Sequence, residues 1–191
     1  IDYDGIYIPT QELVGLLRKL SENSLRQLIK LHNQSAKKNT SFEDAMIMVC
    51  LEQNNMDLFK LICEKIKLLA PNTLVNFKAQ LFYSLLNKNY QKVIELINHS
   101  EIHPNLIGSL LSYLSFFTKT ISKAYHALFS ELDNTFQYMM DNKIEISATM
   151  RTFIKNYAVW LCRNDTEKVL NYVRLPRLRL LAKLTNQYDT K

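Results

Sequence analysis

Apolar residues recur along this chain at helical intervals rather than in the alternation of a half-buried strand. Leu74, Phe77, Leu81, Leu85 and Leu86 follow one another at steps that share a helical face, and so do Tyr90, Val93, Ile94 and Ile97. The polar knot Asn87-Lys88-Asn89 separates the two sets and predicts a tight turn between two helices. Pro71-Asn72 opens this unit, and an identical pair, Pro104-Asn105, closes it 33 residues further on. Helix pairs recurring at about that period predict stacked hairpins.

The pattern extends in both directions. After an extended lead-in, Ile1 to Pro9, Thr10 reads as an N-cap for a helix through Leu13, Val14, Leu16, Leu17 and Leu20. Ser21 to Ser24 marks a turn, and Leu25, Leu28, Ile29 and Leu31-His32 form the next helix, which ends in the polar stretch Asn33 to Asn39. Thr40 or Ser41 caps a third helix, whose Glu43-Asp44 suit a positive N-terminus and whose apolar positions are Phe42, Ala45, Met46, Met48, Val49 and Leu51. Gln53-Asn54-Asn55 breaks it, and a fourth helix runs from Met56 to Leu69, where Pro71 stops it. Ala45, Leu51 and Asn54-Asn55 match Ala79, Leu85 and Lys88-Asn89 at an offset of 34.

A further unit begins after Asn105, with Leu110, Leu111, Tyr113, Leu114, Phe116 and Phe117 in its first helix. Its second part, Ile121 to Lys143, is too long for one hairpin arm; it reads as one helix or as two broken near Asp133-Asn134. The last unit starts near Ser147 with Phe153, Ile154, Tyr157, Trp160 and Leu161, and Asp165 or Thr166 caps its partner through Val169 and Leu170. Pro176 ends the pattern, and Leu178 to Leu184 forms a short basic closing helix. The prediction is one all-α domain over 1–191, a right-handed solenoid of tandem hairpins with repeats near 40–71, 72–104, 105–146 and 147–175. Its expected core includes Leu81, Leu85, Val93, Phe153, Tyr157 and Leu161.

Composition agrees with helices. Only 3 glycines and 4 prolines occur in 191 residues, fewer than the turns and phosphate loops of sheet-rich or dinucleotide-binding folds require. The net charge of +6 is compatible with a polyanionic partner and also with ordinary solubility. Cys50, Cys63 and Cys162 are scattered through apolar stretches without a CxxC pair, so they read as small hydrophobes in a reducing compartment. The longest apolar run, Leu106 to Phe117, is interrupted by Gly108, Ser109, Ser112 and Ser115, and falls short of the ~18 residues of a membrane span. A chain that opens on Ile1 reads as a fragment or a processed form.

Candidate chemistry is sparse. His99 and His103 flank Glu101 at a spacing that holds zinc on a helix, but Pro104 follows at once and no third ligand is near. His32 and His126 are isolated and read as surface or half-buried residues. No nucleophile triad, glycine-rich phosphate loop or paired carboxylate site stands out, so neither an enzyme, a cofactor nor a metal is expected. Arg174, Arg177, Arg179 and Lys183 gather around Pro176, either to contact phosphates or as the solvated face of a closing helix. The 10 tyrosines and 9 phenylalanines lie mostly at core spacing, for packing first and base stacking second.

The unit around Asn72 resembles a pentatricopeptide repeat. Gln91-Lys92-Val93-Ile94-Glu95-Leu96-Ile97 matches the family's second helix, and Glu101-Ile102-His103-Pro104-Asn105 matches its closing segment. Lys123 to Phe129 and Met139 to Ser147 carry the same two motifs again. The family's glycines are replaced by Asn or Lys, so the resemblance is to a degenerate, fungal mitochondrial type of pentatricopeptide protein. It implies a solenoid binding single-stranded RNA in the mitochondrial matrix, for RNA stability, processing or translation. It also implies that Lys78 and Asn105 face one base, with Asn72 closing the preceding unit, whereas Leu111 and Ile154 at the corresponding places are apolar. The competing reading is a protein-interaction scaffold of the tetratricopeptide or HEAT kind.

Overall fold

The computed structural model describes residues 12–34, 40–69, 74–99, 123–163 and 180–184. Every regular element among them is a helix. Helical residues 12–17 form α1, followed by α2 (Glu22–Gln34), α3 (Thr40–Glu52), α4 (Met56–Leu69), α5 (Leu74–Leu86) and α6 (Tyr90–Asn98). After these come α7 (Lys123–Asp141), α8 (Ala148–Arg163) and a short helical stretch, 180–184. The lead-in, Thr10, both Pro-Asn pairs, the helix expected over 106–117, and the segment from Asp165 to Arg179 lie outside the described residues. The side chains of Trp160, Leu161, Cys162 and His126 do so as well.

The turns follow from local chemistry. At the end of α3, Asn54 adopts φ 54°, its N–H donates to Leu51 O at 3.1 Å, and the Asn55 N–H donates to Cys50 O at 2.8 Å. That is a Schellman closure, in which a left-handed residue satisfies carbonyls the helix leaves over. α5 ends the same way, with Lys88 at φ 57° and bonds to Leu85 O and Ser84 O at 3.0 and 2.9 Å. α7 repeats it, with Lys143 at φ 52° and bonds to Met140 O and Met139 O at 3.2 and 2.9 Å. In the first two turns the closing residue also opens the next helix. Asn55 Oδ1 accepts from Leu58 N, and Asn89 Oδ1 from Lys92 N, each at 3.2 Å. Ser21 Oγ does the same for Ser24 N at 3.2 Å, so N-caps of one geometry stand at 21, 55 and 89, 34 residues apart. After α7 the cap comes later: Ser147 Oγ accepts from Met150 N at 3.0 Å, following the non-helical residues 144–146.

Contacts divide the chain into two compact units. The first takes in the described residues up to Tyr83, and the second those from Ser84 onward, Lys123 and Ala124 excepted. In the first unit, α4 packs on both α2 and α3. α3 is apolar on every side: each residue from Ala45 to Leu51 is buried. α2 turns Leu25, Ile29 and His32 inward, while Leu31, expected inside, is exposed. In the second unit, α6 packs on α8, and the Phe136 ring of α7 meets Phe153 at 6.3 Å and Tyr157 at 5.9 Å. The expected core residues Leu81, Leu85, Val93, Phe153 and Tyr157 are all buried. α7 runs unbroken through Asp133-Asn134, which settles the alternative left open by the sequence.

Candidate functional site

The principal concentration of charge inside the first unit lies at the N-terminal end of α3. Glu43 and Asp44 are adjacent in sequence, yet each is buried and each meets a base from a different helix. His32 of α2 brings Nε2 to 3.0 Å from Glu43 Oε1. Lys78 of α5 brings Nζ to 2.6 Å from Asp44 Oδ1. The side chains of Asp44 and Lys78 are each only 4% exposed, and that of Glu43 is fully enclosed. The Phe42 ring covers the imidazole at a centroid distance of 5.1 Å. Glu43 also lies in the first turn of α3, at the positive end of its dipole.

The arrangement follows from three helical faces. His32 is on the same face of α2 as Leu25 and Ile29, so burying the leucine and isoleucine carries the imidazole inward. Its expected surface or half-buried position is therefore corrected: the ring is buried and has a carboxylate partner. Lys78 is carried inward by its neighbours Phe77 and Ala79, which leave α5 only Asn76, Gln80, Tyr83 and Leu86 as half-exposed residues between Val75 and Leu86. The position that the pentatricopeptide resemblance assigns to a base is thus held inside, on Asp44. Breaking a buried, hydrogen-bonded pair of this kind costs about 3–5 kcal/mol, because the remaining charge stays in a low-dielectric surround. With all four groups enclosed, this set holds helices together and offers no path for a substrate.

A second polar cluster lies in the second unit. The Tyr90 hydroxyl donates to Glu131 Oε2 at 2.5 Å, Asn134 Nδ2 donates to Glu131 Oε1 at 3.4 Å, and the Tyr90 and Tyr138 rings lie 5.8 Å apart. The Tyr90 phenol is pushed above its ordinary range, first by desolvation and then by the hydrogen bond and charge of Glu131. Nearby, Ser147 Oγ donates to Asn98 Oδ1 at 2.6 Å, tying the end of α6 to the start of α8.

Other sequence candidates separate into described and undescribed positions. Lys183 is exposed on the 180–184 stretch between the buried Leu181 and Leu184. Ile154 is buried, in keeping with its apolar character. Asn72, Asn105, Arg174, Arg177, Arg179, Leu111 and His103 lie outside the described residues. His99 is exposed at the end of α6, beside a surface hollow of about 450 Å³ that Lys92 and Glu95 also line, and those two pair with each other at 3.1 Å. Among the described residues no group of three or more potential ligands is placed to hold a metal ion, and no helix is long and apolar enough to cross a membrane. Burial pushes the Cys50 thiol up to about 12 and the Cys63 thiol higher still, and Cys63 Sγ contacts Ala79 O at 3.8 Å. Such thiols pack as small hydrophobes and lack the thiolate needed for reaction.

Two ion pairs that escaped the sequence reading nevertheless left a trace in it. The Asp44–Lys78 pair had a visible signal, an acid and a base separated by the same 34 residues as the turn knots. So had Arg18 and Glu52, which form a two-pronged ion pair at that same separation. No protein-family model, curated protein or solved structure matches the chain.

Proposed function

We propose that this protein is a pentatricopeptide-like, right-handed α-solenoid that binds single-stranded RNA and supports mitochondrial RNA stability, processing or translation. The observation that carries the reading is the 34-residue recurrence. N-caps repeat at Ser21, Asn55 and Asn89, and side-chain pairs join positions one period apart. Stacked hairpins produce that relation, because each residue faces its counterpart in the next repeat. RNA as the partner is supported by the pentatricopeptide-like segments and by a net charge of +6.

With Lys78 buried, the proposed contacts are Asn72, Asn105, Arg174, Arg177, Arg179 and Lys183, and the bases are not read one by one through the first helices. The test is an electrophoretic titration of the protein with single-stranded RNA and with the matching duplex. Binding of the single strand at micromolar protein or below, and weaker binding of the duplex, is the expected result. No shift with either nucleic acid at moderate salt removes the RNA reading.

A second reading, a protein-interaction scaffold, is favoured by one observation: Leu16 and Leu31 are each more than 60% exposed, and Val159 is 47% exposed. A partner captured equally well before and after nuclease treatment, together with no RNA shift, is the outcome that selects it.

A further inference from the structure

Two ion pairs of the first unit join repeat-equivalent positions with opposite charge. Arg18, just beyond α1, grips Glu52 at the end of α3. Asp44, near the start of α3, grips Lys78 near the start of α5. Each pair spans 34 residues, the interval between the N-caps. End therefore meets end and start meets start, with α3 reaching one neighbour from each of its termini. A plain repeat would set like beside like, and here the charge alternates instead.

We propose that this alternation is the recognition that fixes which first helix stacks on which, and at what rotation. The inference rests on the repeat reading above. α3 needs such a device because its apolar surface runs all the way round, so hydrophobic burial alone scarcely distinguishes one rotation from another. The buried charges do distinguish them: a rotated or slipped α3 strands Asp44 away from Lys78 and leaves two ions in the interior without each other. Apolar contacts thus supply cohesion, and the two pairs supply address. The position occupied by Asp44 and Lys78 is committed to the neighbouring repeat rather than to a ligand.

The experiment compares melting and amide nuclear-resonance spectra of paired variants of the full chain. Lys78→Met alone is expected to lower the melting midpoint by roughly 6–20 °C. Asp44→Leu with Lys78→Met should recover most of that loss, yet show duplicated or broadened resonances along α3. Arg18→Glu and Glu52→Arg should each lower the midpoint, and their combination should regain at least half of it. This second pair is partly solvent-exposed at Arg18, so it keeps the test valid if the buried single variants fail to fold. One sharp set of resonances in the apolar double variant, or a joint reversal no better than its worse single change, overturns the proposal. RNA titration of the wild type and of the joint reversal separates the two ideas. Recovered melting without RNA binding in either protein leaves the pairing in place and removes the RNA function.

Discussion

At the residue scale, Tyr90 shows how a half-buried hydroxyl ties stability to pH. Its phenol is raised above the ordinary value by desolvation and by Glu131, so the native state holds a proton that the unfolded state releases more readily. The contribution is complete below the unfolded phenol pKa of about 10 and is lost as pH rises through the folded value. Tyr90→Phe removes the donor to a carboxylate that is itself buried, and should lower stability at pH 7 by about 1–3 kcal/mol. That deficit should shrink above about pH 10, where the wild type loses the same bond. Urea unfolding at pH 7 and at pH 10.5 checks this, and a deficit that stays constant would show that Tyr90 does not titrate against Glu131. None of this pairing was legible in the sequence, since Tyr90 and Glu131 are 41 residues apart and off the repeat period. His32 was legible in principle: its place beside Ile29 on the inner face of α2 outweighs its polarity, and Leu31 faces water instead.

At the element scale, three helices end on left-handed residues that are not glycine: Asn54, Lys88 and Lys143. A Cβ in that conformation costs about 1–2 kcal/mol, less for asparagine, whose short amide suits it. All three side chains are exposed, so replacement loses little packing. Lys88→Gly and Lys143→Gly are each expected to stabilise the protein by about 0.5–1 kcal/mol, and Asn54→Gly by less, allowing for the added freedom of the unfolded chain. Urea midpoints measure this; a loss of stability at Lys88→Gly would mean that its side chain takes part in packing. The same turns explain why helix boundaries were largely readable. Asparagine-rich knots at 53–55 and 87–89 offer both the left-handed residue and the following cap. The doublet Asp133-Asn134 was ambiguous because polarity alone does not end a helix. Asn134 is exposed and Asp133 half-buried on α7, while Leu132 and Phe136 stay buried and no glycine or proline intervenes. The first turn fell earlier than expected, at 18–20, because Ser21 caps α2 instead of sitting within a four-residue turn.

At the scale of the whole molecule, the all-helical class was readable from spacing and scarce glycine, whereas the fate of the charges was not. Periodicity reports which face is apolar. It does not report which lysine a buried aspartate will claim, and Asp44 removes Lys78 from any surface. The proposed RNA binding would then rest on phosphate contacts, from Lys183, which is exposed, and from Arg174, Arg177 and Arg179, rather than on a residue-by-residue reading of bases. Phosphate contacts release counterions, so log affinity should fall by roughly 0.7 per log unit of salt for each contact on a single strand. Arg177→Ala with Arg179→Ala should reduce that slope by about 1.4 and weaken binding to unrelated sequences alike. Lys183→Ala should act in the same sense with about half the effect on the slope. Titrations of two unrelated single strands at three salt concentrations supply the slope and the preference together. A difference of more than about tenfold between those strands, some 1.4 kcal/mol, would show that bases are read through residues other than Lys78 and would overturn the phosphate-dominated account.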